Sequence, residues 1–75
     1  MKFKEGDYVK IVPHPEVKFY RGQEGLLAKV ICVLPFKRYP YFVEFINGDI
    51  QGKNEIFDEK CLELVDNEKV IVELL

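Results

Sequence analysis

The chain has no serine, no threonine and no tryptophan, and it has one histidine among its 75 residues. Without serine or threonine there is no hydroxyl for a serine triad or for a threonine nucleophile, so those classes of hydrolase are excluded. The one histidine, His14, lies between Pro13 and Pro15, and we expect it to be an exposed loop residue. We therefore predict that the protein is not an enzyme and that it carries no cofactor.

Cysteine is almost as scarce, because the chain has only Cys32 and Cys61. Two cysteines and one histidine do not supply the roughly four ligands of a structural zinc site, so we predict no metal site. The acidic residues between positions 58 and 68 lack the ordered spacing of an EF-hand, and we interpret them as solvated surface. The two thiols would form a disulfide if their Cα atoms approached to about 5.5 Å. The other interpretation, which a reducing compartment favours, is two buried free thiols.

A long apolar run is also absent, since none approaches the roughly 18 residues that a membrane-spanning helix needs. The N-terminal stretch MKFKEGDYV has no apolar segment of the kind found in a signal peptide. We therefore expect no membrane span and a location in the cytoplasm or an equivalent reducing compartment. No feature of the sequence sets an oligomeric state.

The length and the hydrophobic content of 48% predict one small globular domain, with a core over residues 6–65 and a C-terminal extension over residues 66–75. A chain of this size buries about 60% of the surface that it exposes when unfolded, so we expect marginal stability. The net charge of −2 is unevenly distributed, because residues 1–40 carry +4 and residues 41–75 carry −6. This distribution predicts surface patches of both signs.

Two stretches of the first half have the patterns of β-strands. Residues 6–12 alternate, with Val9 and Ile11 on one face, which is typical of a half-buried strand. Residues 24–34 form the longest apolar run, and their β-branched content favours a strand, with a short helix as the alternative. Two prolines and a closing glycine predict that residues 13–22 form a long connection between these strands.

The second half continues the same organisation. Residues 41–46 alternate again and predict a third strand that buries every second residue from Tyr41 onward. The Asn-Gly pair at residues 47–48 predicts a type I′ hairpin, because both residues tolerate a positive φ, and the return strand is then expected from Asp49. Residues 56–65 indicate a strand end, one tight turn and a last strand. The C-terminal extension is either a sixth strand or a short helix.

Five short strands with a turn signal about every ten residues predict an all-β domain. At this length we expect a closed five-stranded barrel, because closure removes exposed strand edges that a small sheet cannot otherwise cover.

The order of the first motifs, GDYVKIV followed by a loop and YRGQEGLLAKVI, resembles the entry to SH3-like barrels. One such family is the KOW motif of ribosomal and transcription proteins, in which a loop ends in a glycine and a second glycine follows three positions later. Gly22 and Gly25 have that spacing. This resemblance covers only the first part of the chain and implies a nucleic-acid-binding domain.

A second resemblance is to photosystem I reaction-centre subunit IV and its relative, the variable chain of ferredoxin–thioredoxin reductase. The stretch KFYRGQEGLLAKVI is similar to that subunit's tyrosine-bearing loop and second strand, YPYFVEF to the start of its third strand, and GKNEIFDEKCLELV to its closing region. The resemblance extends over most of the chain and implies an SH3-like barrel that serves as a small accessory subunit. The family's docking face is basic, whereas this chain is net acidic.

The tripeptide GKN at residues 52–54 resembles the Gly-Lys-Asn of cytoskeletal CAP-Gly domains, where an Asp-Gly pair follows. Here Glu55 and Ile56 follow instead. The alternative interpretation is structural, because Gly52 permits a bulge or bend in the return strand and Asn54 tolerates a turn.

Two prolines bound a second loop, residues 35–40, and we expect it to meet the loop of residues 13–22 at one end of the barrel. The candidate partner-binding residues are aromatic and basic side chains of these two loops, with one aromatic side chain that strand alternation turns outward. Tyrosine and arginine dominate interface energies, and the same combination can stack on bases and hold phosphates. The alternative is that Tyr20 and Tyr39 plug the ends of the barrel. The predicted set is Phe19, Tyr20, Arg21, Phe36, Lys37, Arg38, Tyr39 and Phe42.

We therefore expect a small binding module or accessory subunit that docks onto a larger protein through its loop surface. The alternative is a KOW-like nucleic-acid-binding domain, in which Lys18, Arg21, Lys37 and Arg38 contact phosphates. The sequence pI of about 5.4 argues for the protein partner, because nucleic-acid-binding domains are usually basic.

Overall fold

The computed structural model describes residues 2–16 and 23–74, the last two of them without their side chains. Within these residues the chain forms β-strands, one 3₁₀ turn and one short α-helix. In chain order the elements are β1 (Tyr8–Ile11), β2 (Leu27–Val33), β3 (Tyr41–Phe45), β4 (Asn54–Phe57), the 3₁₀ turn (Glu59–Cys61), β5 (Leu62–Leu64) and α1 (Asn67–Leu74).

The strands form one antiparallel five-stranded sheet in the order β4-β3-β2-β1-β5. The first and last strands of the chain are therefore neighbours, and β4 and β5 lie at the two edges. This arrangement confirms an all-β-type small domain with one added helix. No ladder joins β4 to β5 among the described residues, so the sheet is open there and the closed barrel stays a prediction.

The first two strands form as their patterns predict. Val9 and Ile11 of β1 are buried, and Lys10 between them is exposed. The longest apolar run is the strand β2 and not the alternative helix, in keeping with the extended backbone that β-branched residues favour. Ala28 and Val30 of β2 are fully buried in the same core as the β1 residues.

A β-bulge interrupts β2. Val30 lies opposite Val43 of β3, whereas Cys32 lies opposite Phe42, so Ile31 is an extra residue in this strand. An extra residue bends the strand and increases its local twist. Ile31 continues the alternation after the buried Val30 and is exposed, and the extra residue then places Cys32 on the outer face as well, opposite Phe42.

The side chains of β3 divide between the core and the outer face of the sheet. Tyr41, Val43 and Phe45 are buried, as the alternation predicted, and Phe42 and Glu44 between them are half-buried on the outer face. Burying one large apolar side chain is worth about 1.5–3 kcal/mol, so β3 is a main source of stability. The core cluster consists of Phe3, Val9, Ile11, Ala28, Val30, Tyr41, Val43, Phe45, Phe57, Cys61 and Leu62.

The connection from β3 to β4 differs from the prediction. A type I′ turn needs a positive φ at both Asn47 and Gly48, but among the described residues only glycines have a positive φ. Instead, Oδ1 of Asn47 accepts a hydrogen bond from the Leu27 amide at 2.9 Å, which ties the loop to the start of β2. The predicted return strand from Asp49 is also wrong, because this segment is a loop and β4 begins at Asn54.

The C-terminal extension is the helix α1, which excludes a sixth strand over residues 67–74. Asp66 caps its N-terminus, because Oδ1 accepts a hydrogen bond from the Glu68 amide at 2.9 Å and the Asp66 carbonyl accepts one from the Val70 amide at 3.2 Å. Val70 is buried, whereas Ile71 and Val72 are exposed. Across the described residues, no helix has the length and apolarity needed to cross a bilayer.

The hydroxyl of Tyr41 joins the N-terminal segment to the sheet. Oη accepts hydrogen bonds from the backbone amides of Lys2 at 3.0 Å and Phe3 at 3.1 Å. The rings of Tyr41 and Phe3 also meet edge to face, with centroids 5.3 Å apart. One buried side chain of β3 therefore holds a segment that lies 38 positions away in sequence.

We predict that Tyr41→Phe destabilises the protein by about 1–3 kcal/mol, because a buried amide then loses its acceptor while the ring packing stays the same. Urea unfolding followed by circular dichroism measures this change. The matched control is Tyr39→Phe, since Tyr39 is partly exposed in a loop, and we expect a change within about 0.5 kcal/mol. Equal effects of the two substitutions would contradict the role of the Tyr41 hydroxyl.

A second prediction compares two glycines of the β3–β4 loop. Gly48 (φ +79°) and Gly52 (φ +87°) both have left-handed backbones, but only at Gly48 would an added Cβ meet a neighbour, Cδ2 of Leu26 at 2.8 Å. Replacing either glycine by alanine should cost about 1–2 kcal/mol from the backbone alone. We expect Gly48→Ala to cost about 1 kcal/mol more, because the packed Leu26 must shift. Thermal and urea unfolding of both variants would show this order, and a larger loss for Gly52→Ala would refute it.

Candidate functional site

The predicted site residues fall into two groups in the structure. Phe19, Tyr20 and Arg21 lie outside the described residues, so the predicted meeting of the two long loops stays a prediction. The remaining predicted residues belong to the β2–β3 loop and to the outer face of β3. The site is therefore built here from Phe36, Lys37, Arg38, Tyr39 and Phe42.

Two backbone hydrogen bonds shape the β2–β3 loop. The Leu34 amide donates to the Pro40 carbonyl at 2.7 Å and closes the base of the loop. The Lys37 amide donates to the Leu34 carbonyl at 2.9 Å and closes a β-turn within it. Pro35 occupies the second position of this turn, where its fixed φ fits, and Phe36 follows without a positive φ, as in a type I turn. The sequence Leu-Pro-Phe-Lys thus encodes its own local geometry.

The turn presents four consecutive side chains, which we call the loop tip (residues 36–39). Phe36 is 99% exposed, so its ring contacts almost nothing in the folded chain. Lys37 and Arg38 are also exposed, and the Arg38 guanidinium lies 5.6 Å from the centre of the Tyr39 ring. Such a contact between a cation and a ring orients both side chains at a modest energetic gain. Tyr39 is 36% exposed, so it is partly covered but does not belong to the core.

An apolar surface on the sheet adjoins the loop tip. Phe42 lies opposite Cys32 on one side and Ile56 on the other, and all three face away from the core. Ile56 is 46% exposed, and Ile31 and Leu34 on the β2 side are exposed as well. We call Ile31, Leu34, Phe42 and Ile56 the outer patch.

The sequence interpretation included only Phe42 of this outer patch. Ile56 and Ile31 were detectable from alternation along β4 and β2, but the outward position of Cys32 was not, because the bulge that reverses the alternation there is a property of the β2–β3 register.

The other half of the outer face is polar. Tyr8, Lys29, Glu44 and Asn54 lie side by side across four neighbouring strands. The Lys29 ammonium lies 5.9 Å from the centre of the Tyr8 ring, and Glu44 is directly opposite Lys29 on β3. Opposite charges at facing positions stabilise a sheet. The outer face is therefore divided into a polar half and an apolar half, and the apolar half is the one next to the loop tip.

The first loop and the 3₁₀ turn are connected by an ion pair. Lys60 Nζ donates to Glu16 Oε2 at 2.8 Å, and Nδ1 of His14 accepts a hydrogen bond from the Glu16 amide at 3.2 Å. The hydrogen bond and charge of Lys60 lower the pKa of Glu16, and Glu16 in turn raises the pKa of Lys60. Both side chains are exposed, so this pair adds little stability. His14 itself is half-buried rather than exposed, which corrects the sequence expectation.

Both cysteines are free thiols, so the disulfide interpretation is wrong. Cys61 is buried in the core, and burial, together with the charge of Asp58, raises the pKa of its thiol. Cys32 is half-buried on the outer face, whereas we expected it to be buried. Across the described ranges, no group of three or more His, Cys, Asp or Glu side chains is arranged to hold a metal ion.

Comparisons of this chain with protein-family models, with curated proteins and with solved structures gave no significant match. The resemblances to the photosystem I subunit, to the KOW motif and to CAP-Gly domains therefore stay predictions. The geometry of the loop tip and of the outer patch has to carry the functional argument.

The two thiols give a testable difference in reactivity. We predict that a thiol-alkylating reagent labels Cys32 in the folded protein and labels Cys61 only when the protein unfolds. Intact-mass measurements with and without urea count the labels, and peptide mapping places them. The difference should persist near pH 9, because the raised pKa keeps the buried Cys61 protonated where an unfolded thiol ionises. Rapid labelling of Cys61 in the folded state would contradict its burial.

Proposed function

We propose that this protein is a non-enzymatic binding module, an accessory subunit that docks onto a larger protein through the loop tip and the outer patch. The observation that carries the proposal is Phe36, a large aromatic side chain that is 99% exposed at the end of a hydrogen-bonded turn. An exposed phenylalanine gives the isolated domain no stability from burial. Its position is accounted for if the ring is buried in a partner.

The rigidity of the tip supports the same function. Binding is weakened by the entropy lost when loops and side chains become ordered at an interface. Here one backbone hydrogen bond already closes the turn and a second closes the base of the loop, and Arg38 is already oriented over Tyr39. Aromatic residues and arginine are also enriched among the residues that dominate interface energies. The loop tip thus has the composition and the preorganisation of an anchor.

The surroundings of the anchor indicate the chemistry of the partner. The outer patch extends the apolar surface from the loop tip onto β2, β3 and β4. Within the tip, Lys37 and Arg38 lie between the two aromatic residues Phe36 and Tyr39, and both are exposed. We propose that the partner offers an apolar pocket for Phe36 with acidic side chains at its rim, because charge complementarity across a rim steers association.

We further propose that the domain is an SH3-like barrel that works in the cytoplasm or an equivalent reducing compartment. The pairing of β1 with β5, the short 3₁₀ turn between β4 and β5, and the bulge that bends β2 all support a sheet that curls toward closure. Two free thiols fit a reducing environment.

A nucleic-acid ligand is the second candidate, favoured by the two cations of the tip. Lys37 and Arg38 would hold phosphates, and Phe36 or Tyr39 would stack on bases. The Arg38 guanidinium, however, lies near the Tyr39 ring, and the chain as a whole is acidic. The protein partner therefore agrees better with the surface.

We predict that Phe36→Ala weakens partner binding by at least about tenfold and changes the free energy of unfolding by less than about 0.5 kcal/mol. The matched control is Val72→Ala, an apolar side chain on α1 that is 71% exposed, and it should bind like the native protein. The three proteins are immobilised and exposed at low salt to lysate of the source organism, with and without nuclease treatment. Bound proteins are identified by mass spectrometry, and their affinities are then measured with purified components.

The three possible outcomes separate the candidates. A discrete protein that is retained by the native chain and by Val72→Ala, and lost by Phe36→Ala, supports docking through the loop tip. A protein retained equally by all three rejects this surface. Bound material that disappears on nuclease treatment, and whose log affinity falls steeply with log salt concentration, identifies a nucleic acid as the ligand instead of a protein.

A further inference from the structure

A different surface, the outer edge of β4, has the features of a strand-binding site. β4 is the terminal strand of the sheet, and only its β3 side is paired among the described residues. The Phe45 amide donates to the Lys53 carbonyl, so hydrogen-bonded positions alternate from there along the ladder. Val43 and Glu55 face each other at a bonded position, whereas Phe42 and Ile56 face each other at a non-bonded one. The backbone amides of Asn54 and Ile56 therefore point away from β3, toward the open edge.

The hydrogen bond of the Ile56 amide agrees with this direction. This amide donates to Oε1 of Glu55, the preceding side chain, at 3.1 Å. The bond is exposed and local, so it is readily exchanged for a bond to another acceptor. A charged side chain beside an edge strand is a common protection against pairing with other chains. Here the negative charge of Glu55 would repel acidic chains and not basic ones.

The edge carries a clear excess of negative charge. From residue 49 to residue 59 the chain has four carboxylates and one ammonium group, that of Lys53. The side chains on the two faces of β4 differ, because Ile56 lies on the outer face beside Phe42 and Glu55 lies on the opposite face beside Val43. A strand added at this edge would thus meet Ile56 on one face and the carboxylate of Glu55 on the other.

We propose that the edge of β4 binds an extended segment of a partner protein in which basic and apolar residues alternate. The segment adds a sixth strand to the sheet, with backbone hydrogen bonds to Asn54 and Ile56. Its apolar side chains pack beside Ile56 and Phe42, and its basic side chains face Glu55 on the other face. This site shares Ile56 and Phe42 with the outer patch but includes no residue of the loop tip, and it holds whether or not Phe36 is a docking anchor.

A second copy of this chain is the wrong occupant of the same edge. In a two-fold symmetric dimer each surface meets its own equivalent. In the register that pairs Asn54 of one copy with Ile56 of the other, two β4 strands would bring Glu55 against Glu55, and like charges at facing positions destabilise a sheet. The excess of negative charge over residues 49–59 therefore favours a basic strand.

The experiment uses a capped octapeptide of alternating lysine and valine as the probe, added to the full chain. Amide hydrogen exchange followed by nuclear magnetic resonance reports on each backbone N–H. We expect exchange at Ile56 to become about tenfold slower at saturating peptide, because an edge amide gains a stable partner. The same peptide with N-methylated backbone amides, and a peptide of alternating glutamate and valine, should leave it unchanged.

Two variants keep the test decisive. Ile56→Pro removes an N–H that faces away from β3, a position where proline is tolerated, and it should abolish peptide binding. Glu55→Lys keeps every backbone amide and should exchange the specificity, so that the glutamate peptide binds and the lysine peptide does not. Phe36→Ala should bind the lysine peptide like the native chain, which separates this proposal from the function of the loop tip.

Three results would overturn the proposal. The first is unchanged exchange at Ile56 with the lysine peptide. The second is equal binding of the lysine and glutamate peptides by the native chain. The third is protection of Ile56 that rises with protein concentration in the absence of peptide, which would identify a second copy as the occupant.

Discussion

The buried hydroxyl of Tyr41 is the interaction on which the rest of this small structure depends. It accepts hydrogen bonds from the amides of Lys2 and Phe3, and so holds the N-terminal segment against the sheet. The ring packs edge to face with Phe3, which belongs to the core. Tyr41 also begins β3 directly after the β2–β3 loop, opposite Val33 of β2 and Phe57 of β4. One side chain thus fixes the base of the loop that carries Phe36.

The proposed binding surface follows from how a thin sheet distributes its side chains. A domain of this size has one core, so every strand has a second face that this core does not cover. On β3 that face carries Phe42 and Glu44, and the neighbouring strands continue it as an apolar half and a polar half. The apolar half adjoins the loop tip, and it reaches the edge of the sheet at Ile56 of β4. The loop tip, the apolar patch and the open edge therefore lie on connected parts of one sheet.

Local patterns predicted much of this arrangement. Alternation identified β1 and β3 and their buried residues, because side chains on a strand point alternately to opposite faces. The pair of prolines at positions 35 and 40 marked the loop that carries Phe36, Lys37 and Arg38. The hairpin prediction failed because Asn47 does not adopt a left-handed backbone. Its Oδ1 instead accepts a hydrogen bond from the Leu27 amide. That acceptor lies 20 positions from its donor, so no local rule detects the bond.

The sequence by itself determined the strand content, the inward residues of β3, the loop and its exposed aromatic and basic residues, since each depends on neighbours in the chain. Only the tertiary structure decided the strand order, the bulge that turns Cys32 outward, the free state of both thiols and the position of β4 at an edge. These features depend on which segments pair and in what register. Which strands pair depends on long-range contacts whose energies differ by a few kcal/mol. The residues of one segment alone therefore do not predict its partner or its register.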